Sequence, residues 1–114
     1  MFGKRKEITL HRVHDTVVIR EGNEKMILRV DGDAMRMVAG LNTAQDMIRK
    51  LDGVTEEAPY IETAQFFARV IFGEEQAQKL MDFYRQDAGC VLSVCGKYFN
   101  MRLARLITAA QKRK

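Results

Sequence analysis

The first third of the chain alternates apolar and polar residues with a period of two, which is typical of half-buried strands. Two such stretches, residues 16–20 and 25–30, flank the segment Glu-Gly-Asn-Glu at 21–24. Glycine and asparagine tolerate the positive φ of a tight turn, so this pattern predicts a β-hairpin. A further strand beginning at Ile8 is expected if residues 14–15 form a turn. The N-terminal part is therefore predicted to be a hairpin or a small meander.

After residue 33 the apolar period changes to about 3.6, which predicts helices. The first would be capped by Asp31 or Asp33 and would end before Gly53. The second carries Pro59 in its first turn and ends at Gly73, and a short third helix follows. The expected buried faces are, in order, Met37, Leu41, Ala44, Ile48 and Leu51; Ile61, Ala64, Phe67, Ala68 and Ile71; and Ala77, Leu80, Met81 and Tyr84.

A fourth helix is predicted to run from Asp87 toward Gln111. Phe99 is expected to lie on its buried face and Tyr98 to be half-buried. Residues 90–94 are β-branched enough for a strand, but the helical period continues through them. The full face consists of Leu92, Cys95, Phe99, Leu103, Leu106 and Ala110. The fold class is thus α+β, mostly helical, with about four helices in a single domain over residues 1–114.

The net charge of +4 comes from the two ends of the chain. Residues 4–6 and 112–114 are all basic and are expected to be frayed, and the rest of the chain has two more acidic than basic residues. A nucleic-acid surface usually carries its basic residues as a patch on the folded body. A nucleic-acid partner is therefore not favoured, although residues 88–114 contain six basic residues and no acidic one.

The sequence offers no pattern for catalysis or for a bound cofactor. Its glycines are isolated, so no phosphate-binding loop is predicted. Cys90 and Cys95 are expected to be free thiols, and His11 and His14 lie too far from them in sequence to suggest a zinc site. No metal, no cofactor and no enzymatic activity are expected. The chain contains no stretch of about 18 apolar residues, so we expect a cytoplasmic protein that does not enter a membrane.

Four segments in the second half resemble a protein family. They are residues 71–77 (Ile-Phe-Gly-Glu-Glu-Gln-Ala), 80–84 (Leu-Met-Asp-Phe-Tyr), 90–99 (Cys-Val-Leu-Ser-Val-Cys-Gly-Lys-Tyr-Phe) and 107–112 (Ile-Thr-Ala-Ala-Gln-Lys). The family consists of small phage and prophage proteins of Gram-positive hosts that are encoded among tail genes. These proteins are similar to the tail assembly chaperones of phages with long non-contractile tails. The resemblance covers residues 64–112.

The resemblance implies a non-catalytic assembly factor that works in the cytoplasm of the host cell. Such a chaperone coats the tape-measure protein until tail-tube subunits polymerise around it, so the implied partners are the tape-measure protein, possible tail-tube subunits and possible further copies of the chain. No catalytic residues carry over. Partner contact is expected along the last helix, at Lys97, Tyr98, Met101, Arg102 and Arg105.

Two further expectations concern the basic C-terminal helix. The alternative function is a small nucleic-acid-binding or regulatory module, because Tyr98 and Phe99 lie among basic residues that could contact phosphates. The resemblance also implies a longer second form made by ribosomal slippage. Lysine and arginine codons at 112–114 can supply the runs of A and G on which ribosomes slip.

Overall fold

The computed structural model describes residues 12–103, which form an antiparallel hairpin followed by four helices. This confirms the predicted α+β class and the hairpin alternative. The expected strand at Ile8 and both basic ends lie outside the described residues. The elements are β1 (Arg12–Glu21), β2 (Glu24–Asp33), α1 (Ala34–Arg49), α2 (Glu57–Phe72), α3 (Glu74–Phe83), α4 (Ala88–Tyr98) and a π-helical segment (Phe99–Leu103) that continues α4.

The hairpin closes through a two-residue turn in which only the glycine uses positive φ. Glu21 pairs with Glu24, Gly22 has a φ of +61°, and Asn23 keeps a negative φ. Glycine at the first central position is the arrangement of a type II′ turn. The predicted turn at residues 14–15 is wrong, because both residues lie inside β1 and pair with β2.

The inner face of the hairpin covers one side of the hydrophobic core. Ile19, Leu28 and Val30 point inward and are buried. Helix α2 lies at the centre of the helical layer, where it contacts α1, α3, α4 and β2. The outer face is exposed and carries the cross-strand apolar pair Val18 and Ile27.

Three helices begin or end as the sequence predicts. Pro59 lies in the first turn of α2, and Gly73 at φ +87° separates α2 from α3. Asp87 caps α4, and its carboxylate accepts a hydrogen bond from the Cys90 backbone N–H at 3.2 Å. On α1 and in the turn that follows it the predicted face is buried except for Ile48, which is 39% exposed.

The buried face of α4 differs from the predicted one by a small rotation. Val91, Cys95 and Tyr98 are buried, whereas Leu92 and Phe99 are only half-buried. Tyr98 is 7% exposed and its ring packs against Phe72 of α2, with 6.2 Å between the ring centroids. The prediction that Phe99 is core and Tyr98 half-buried is therefore wrong.

The described end of the last helix also departs from a regular α-helix. From Phe99 the chain follows π-helical geometry, which widens each turn and moves the side chains off the 3.6-residue period. The predicted face beyond Leu103, with Leu106 and Ala110, lies outside the described residues.

Helices α1 and α2 approach closely at Gly40. A Cβ at this position would lie 2.9 and 3.0 Å from the two methyl groups of Val70. Gly40→Ala should therefore not gain the ~1 kcal/mol that alanine gives over glycine in a helix. Overpacking should instead lower the free energy of unfolding by about 1–3 kcal/mol.

Urea unfolding of single and double variants checks this expectation. In a Val70→Ala background the space opens, so Gly40→Ala should become stabilising. If Gly40→Ala stabilises the otherwise wild-type chain, the close packing of α1 on α2 at this point is wrong.

Candidate functional site

A groove of about 900 Å³ runs between β1 and α4. We call it the β1–α4 groove and define it by β1 residues 15–21 on one side and by Cys90, Val94, Lys97 and Met101 of α4 on the other. Its lining is mainly apolar, and Met101 is 62% exposed at its rim. Exposed apolar surface lined by polar residues is typical of a protein-binding site.

A hydrogen bond fixes the spacing between β1 and α4 at one end of the groove. The Tyr98 hydroxyl donates to Asp15 Oδ2 at 2.6 Å, across 83 residues of sequence. Because a charged acceptor strengthens the bond, this contact holds β1 beside the C-terminal end of α4. Glu21, at the other end of the lining strand, lies near Cys90 in the first turn of α4, so β1 runs antiparallel to the helix.

The other end of the groove is acidic. Glu21 lies near Tyr84 and Cys90, and Asp87 lies at the start of α4. Burial is the main cause that raises the pKa of Tyr84 and of Cys90. The Asp87 carboxylate raises the pKa of Cys90 further, and the Glu21 carboxylate raises the pKa of both groups. Lys97 and Asp15 line the opposite end, so the surplus of acidic residues lies at the Glu21 end of the groove.

The link between α3 and α4 places Tyr84 and Asp87 at this acidic end. Arg85 and Gln86 both adopt left-handed backbone conformations, with φ of 54° and 65°. The Gln86 backbone N–H donates to the Met81 carbonyl at 2.8 Å, which closes the end of α3. Left-handed residues other than glycine cost about 1 kcal/mol or more, so this link is held against local strain.

The structure brings together only some of the residues that the sequence predicted for partner contact. Lys97 and Met101 are exposed and line the groove, whereas Tyr98 is buried at its floor and presents little surface. Arg102 lies in the π-helical segment, and nothing is described of its side chain. Arg105 lies outside the described residues.

Sequence reasoning missed the strand side of the groove. Thr16 and Val18 of β1 and Val94 of α4 line it. A signal was present, because residues 17–19 and 26–28 are each three consecutive apolar residues and so interrupt the alternation of a half-buried hairpin. Such runs place an apolar side chain on the outer face of the hairpin, where a polar side chain in contact with water is expected.

The two cysteines differ in exposure. Cys95 is fully buried, and burial raises the pKa of its thiol from 9.0 to about 12. Cys90 is half-buried at the groove. Over residues 12–103 no group of three or more histidine, cysteine, aspartate or glutamate side chains could hold a metal ion.

The burial of Cys95 predicts a pH dependence of stability. Above pH 9 the unfolded chain loses this thiol proton, whereas the folded chain keeps it until pH is near 12, so the folded state binds more protons. Its contribution to the free energy of unfolding should therefore fall with rising pH by about 1.4 kcal/mol per unit.

Urea unfolding at pH 7, 9 and 10.5 measures this contribution. Cys95→Ala should lose less stability between pH 9 and pH 10.5 than the wild-type chain. Equal slopes would show that the Cys95 thiol ionises in the folded state as readily as in the unfolded one.

Within the described part of the chain, no helix is long and apolar enough to cross a membrane. Comparison of the chain with protein-family models, with curated proteins and with solved structures finds no match.

Proposed function

We propose that this protein is a non-catalytic tail assembly chaperone, which binds a phage tape-measure protein through the β1–α4 groove. The observation that carries the proposal is the groove itself, a mainly apolar cleft on the surface of a small helical domain. The resemblance of residues 64–112 to tail assembly chaperones supplies the class of partner.

The groove offers what a holding chaperone requires. A tape-measure protein exposes an apolar surface before the tail tube forms around it, and this surface aggregates unless it is covered. Met101 and Val18 provide exposed apolar contacts at the groove, and Met101 is unbranched and adapts to irregular partners. Such contacts suit reversible binding of a long and variable partner.

Co-expression tests the proposal. The adjacent genes should encode a major tail protein and a very long tape-measure protein. Co-expression with this chain should raise the soluble fraction of that tape-measure protein, and the two should purify together. If the tape-measure protein stays insoluble and does not purify with this chain, the proposal is wrong.

The same resemblance predicts a longer form of the protein. The nucleotide sequence near codons 112–114 should then contain a heptameric slippery sequence followed by an open overlapping frame. Expression from the native gene should give two products on an immunoblot. A single product and no overlapping frame would remove this part of the proposal.

The charges of the described residues weigh against the nucleic-acid alternative. Residues 12–103 contain 12 lysine and arginine and 14 aspartate and glutamate residues. We therefore expect no sub-micromolar binding of duplex DNA at about 150 mM salt, because phosphate-driven binding needs a surplus of basic residues and weakens steeply with salt. Fluorescence anisotropy with labelled duplex DNA measures this. Tight binding that survives removal of the basic residues 4–6 and 112–114 would favour the alternative.

A further inference from the structure

We propose that the partner enters the β1–α4 groove as an extended segment and adds a third strand to the edge of β1. The inference rests on the proposed function for the identity of the partner, and it specifies the form in which that partner binds. The expected segment is apolar in its middle and carries a basic residue at the end that faces Glu21 and Asp87.

The opposite edge of the hairpin, that of β2, is covered by a side chain of α3. The side-chain amide of Gln76, on α3, bonds the backbone of Arg29 on β2: its Oε1 accepts from the Arg29 N–H at 2.8 Å, and its Nε2 donates to the Arg29 carbonyl at 2.6 Å. The amide thus pairs with β2 as a neighbouring strand would. Proteins commonly cover strand edges in this way, because an open edge pairs with other chains.

The same contact shows which backbone groups of β1 point outward. Since the N–H and the carbonyl of Arg29 both face Gln76, Arg29 and its partner Thr16 form a non-hydrogen-bonded pair of the hairpin. Because hydrogen-bonded and non-hydrogen-bonded pairs alternate along an antiparallel hairpin, the backbone N–H and C=O groups of Thr16, Val18 and Arg20 point away from β2. No strand other than β2 pairs with β1 among the described residues.

Within residues 12–103, the edge of β1 that does not pair with β2 faces the groove. Residues 15–21 line one wall and α4 lines the other, so a strand that pairs with β1 would lie between them. The edge from His14 to Arg20 covers about 20 Å at ~3.3 Å per residue. Addition of a partner strand to an exposed sheet edge is a recurrent mode of peptide recognition, in which the backbone supplies affinity and the pockets beside it supply specificity.

The shape of the groove argues against a second copy of this chain as the occupant. Each β1 edge is bordered by its own α4, so two copies that pair β1 to β1 would bring two α4 helices to the same place. A single extended segment has no such helix. Its backbone supplies the hydrogen-bonding groups that pair with the edge of β1.

The charged residues that line the groove favour one orientation of the bound segment. At one end the carboxylates of Glu21 and Asp87 outnumber the single basic group, Arg20, and favour a basic side chain. At the other end Lys97 and the Asp15 carboxylate carry opposite charges, so neither charge is favoured there. The central contact is apolar, at Val94.

Hydrogen exchange of the free full-length chain provides the first test. The amides of Thr16 and Val18 should exchange fast, whereas those of Val17 and Ile19, which bond across the hairpin, should exchange slowly. The Arg29 amide is an internal control, because Gln76 protects it. Slow exchange at Thr16 and Val18 would show that the edge is already covered and would overturn the proposal.

Peptide binding provides the second test, with two probe sets. One set tiles the tape-measure protein encoded beside this chain in 12-residue peptides, and the other comes from a random displayed library. For the tightest peptide of each set, methylation of alternate backbone nitrogens should weaken binding about tenfold, and methylation of the intervening ones should have little effect. Loss at every position, or at none, would overturn strand addition.

A pair of variants tests the protein side. Thr16→Pro removes an outward N–H, and proline is tolerated at an open strand edge. It should weaken peptide binding about tenfold, whereas Thr16→Ala keeps the N–H and should bind within about twofold of wild type. Equal binding by Thr16→Pro and Thr16→Ala, with both folded by circular dichroism, would overturn the proposal.

The two probe sets separate this inference from the proposed function. If library peptides show the alternating pattern and no tape-measure peptide binds, strand addition stands and the chaperone proposal fails. If the tape-measure protein binds without protecting the Thr16 and Val18 amides, the chaperone proposal stands and strand addition is overturned.

Discussion

Replacing Tyr98 with alanine is expected to lower the free energy of unfolding by about 3–5 kcal/mol, the range for truncating a buried aromatic side chain. Tyr98 is 7% exposed, packs against Phe72 and donates its hydroxyl to Asp15. The alanine variant loses this packing and leaves α4 without its bond to β1. Chemical denaturation of the purified variant measures the change.

Two neighbouring variants serve as controls for Tyr98→Ala. Tyr98→Phe keeps the ring and removes the hydroxyl that bonds a carboxylate, so it should cost about 1.5–3 kcal/mol. Phe99→Ala should cost clearly less than Tyr98→Ala, because Phe99 is only half-buried. If Phe99→Ala costs as much as Tyr98→Ala or more, the buried face of α4 is assigned to the wrong residues.

The second large effect is expected at the centre of the groove. Val94→Arg should weaken binding of the tape-measure protein about thirtyfold or more, which corresponds to the ~2 kcal/mol typical of a central interface contact. Val94 is half-buried on the groove side of α4, so a long charged side chain there fills the space that the partner needs.

Ile48→Arg is the matched control for the groove variant. It makes the same kind of substitution on α1, at a side chain that is 39% exposed and does not line the groove. It should bind as wild type does in a pull-down or by calorimetry. If Ile48→Arg weakens binding as much as Val94→Arg does, the β1–α4 groove is not the contact surface.

The periodicity of the sequence was sufficient to predict the elements of the fold. The change from alternation to a 3.6-residue period at residue 33 correctly separates the hairpin from the helices. The helix boundaries could be predicted from local signals. Pro59, Gly73 and Asp87 start or end helices through effects that reach no further than one helical turn. Such features depend on neighbours in sequence and can be recognised without tertiary information.

The predictions that are wrong concern positions at which tertiary contacts, and not the local sequence, determine the structure. Tyr98 and Phe99 are adjacent on α4, and the hydroxyl bond to Asp15, 83 residues away, favours burial of the tyrosine. Neither Arg85 nor Gln86 is a glycine, so nothing in the local sequence predicts their left-handed backbone conformations. The end of α3 and the start of α4 impose those conformations. The groove likewise lies between two elements that are distant in sequence. The predicted contact residues all belong to the last helix, so they include only one of its two sides.

Site-specific photocrosslinking tests whether the β1–α4 groove holds the tape-measure protein. A photoreactive amino acid would replace Val94 in the groove and, as a control, Ile48 on α1, each during co-expression with the tape-measure protein. We expect a crosslinked product from position 94 and none from position 48. Crosslinking from position 48 with none from position 94 would show that the tape-measure protein does not bind in the groove.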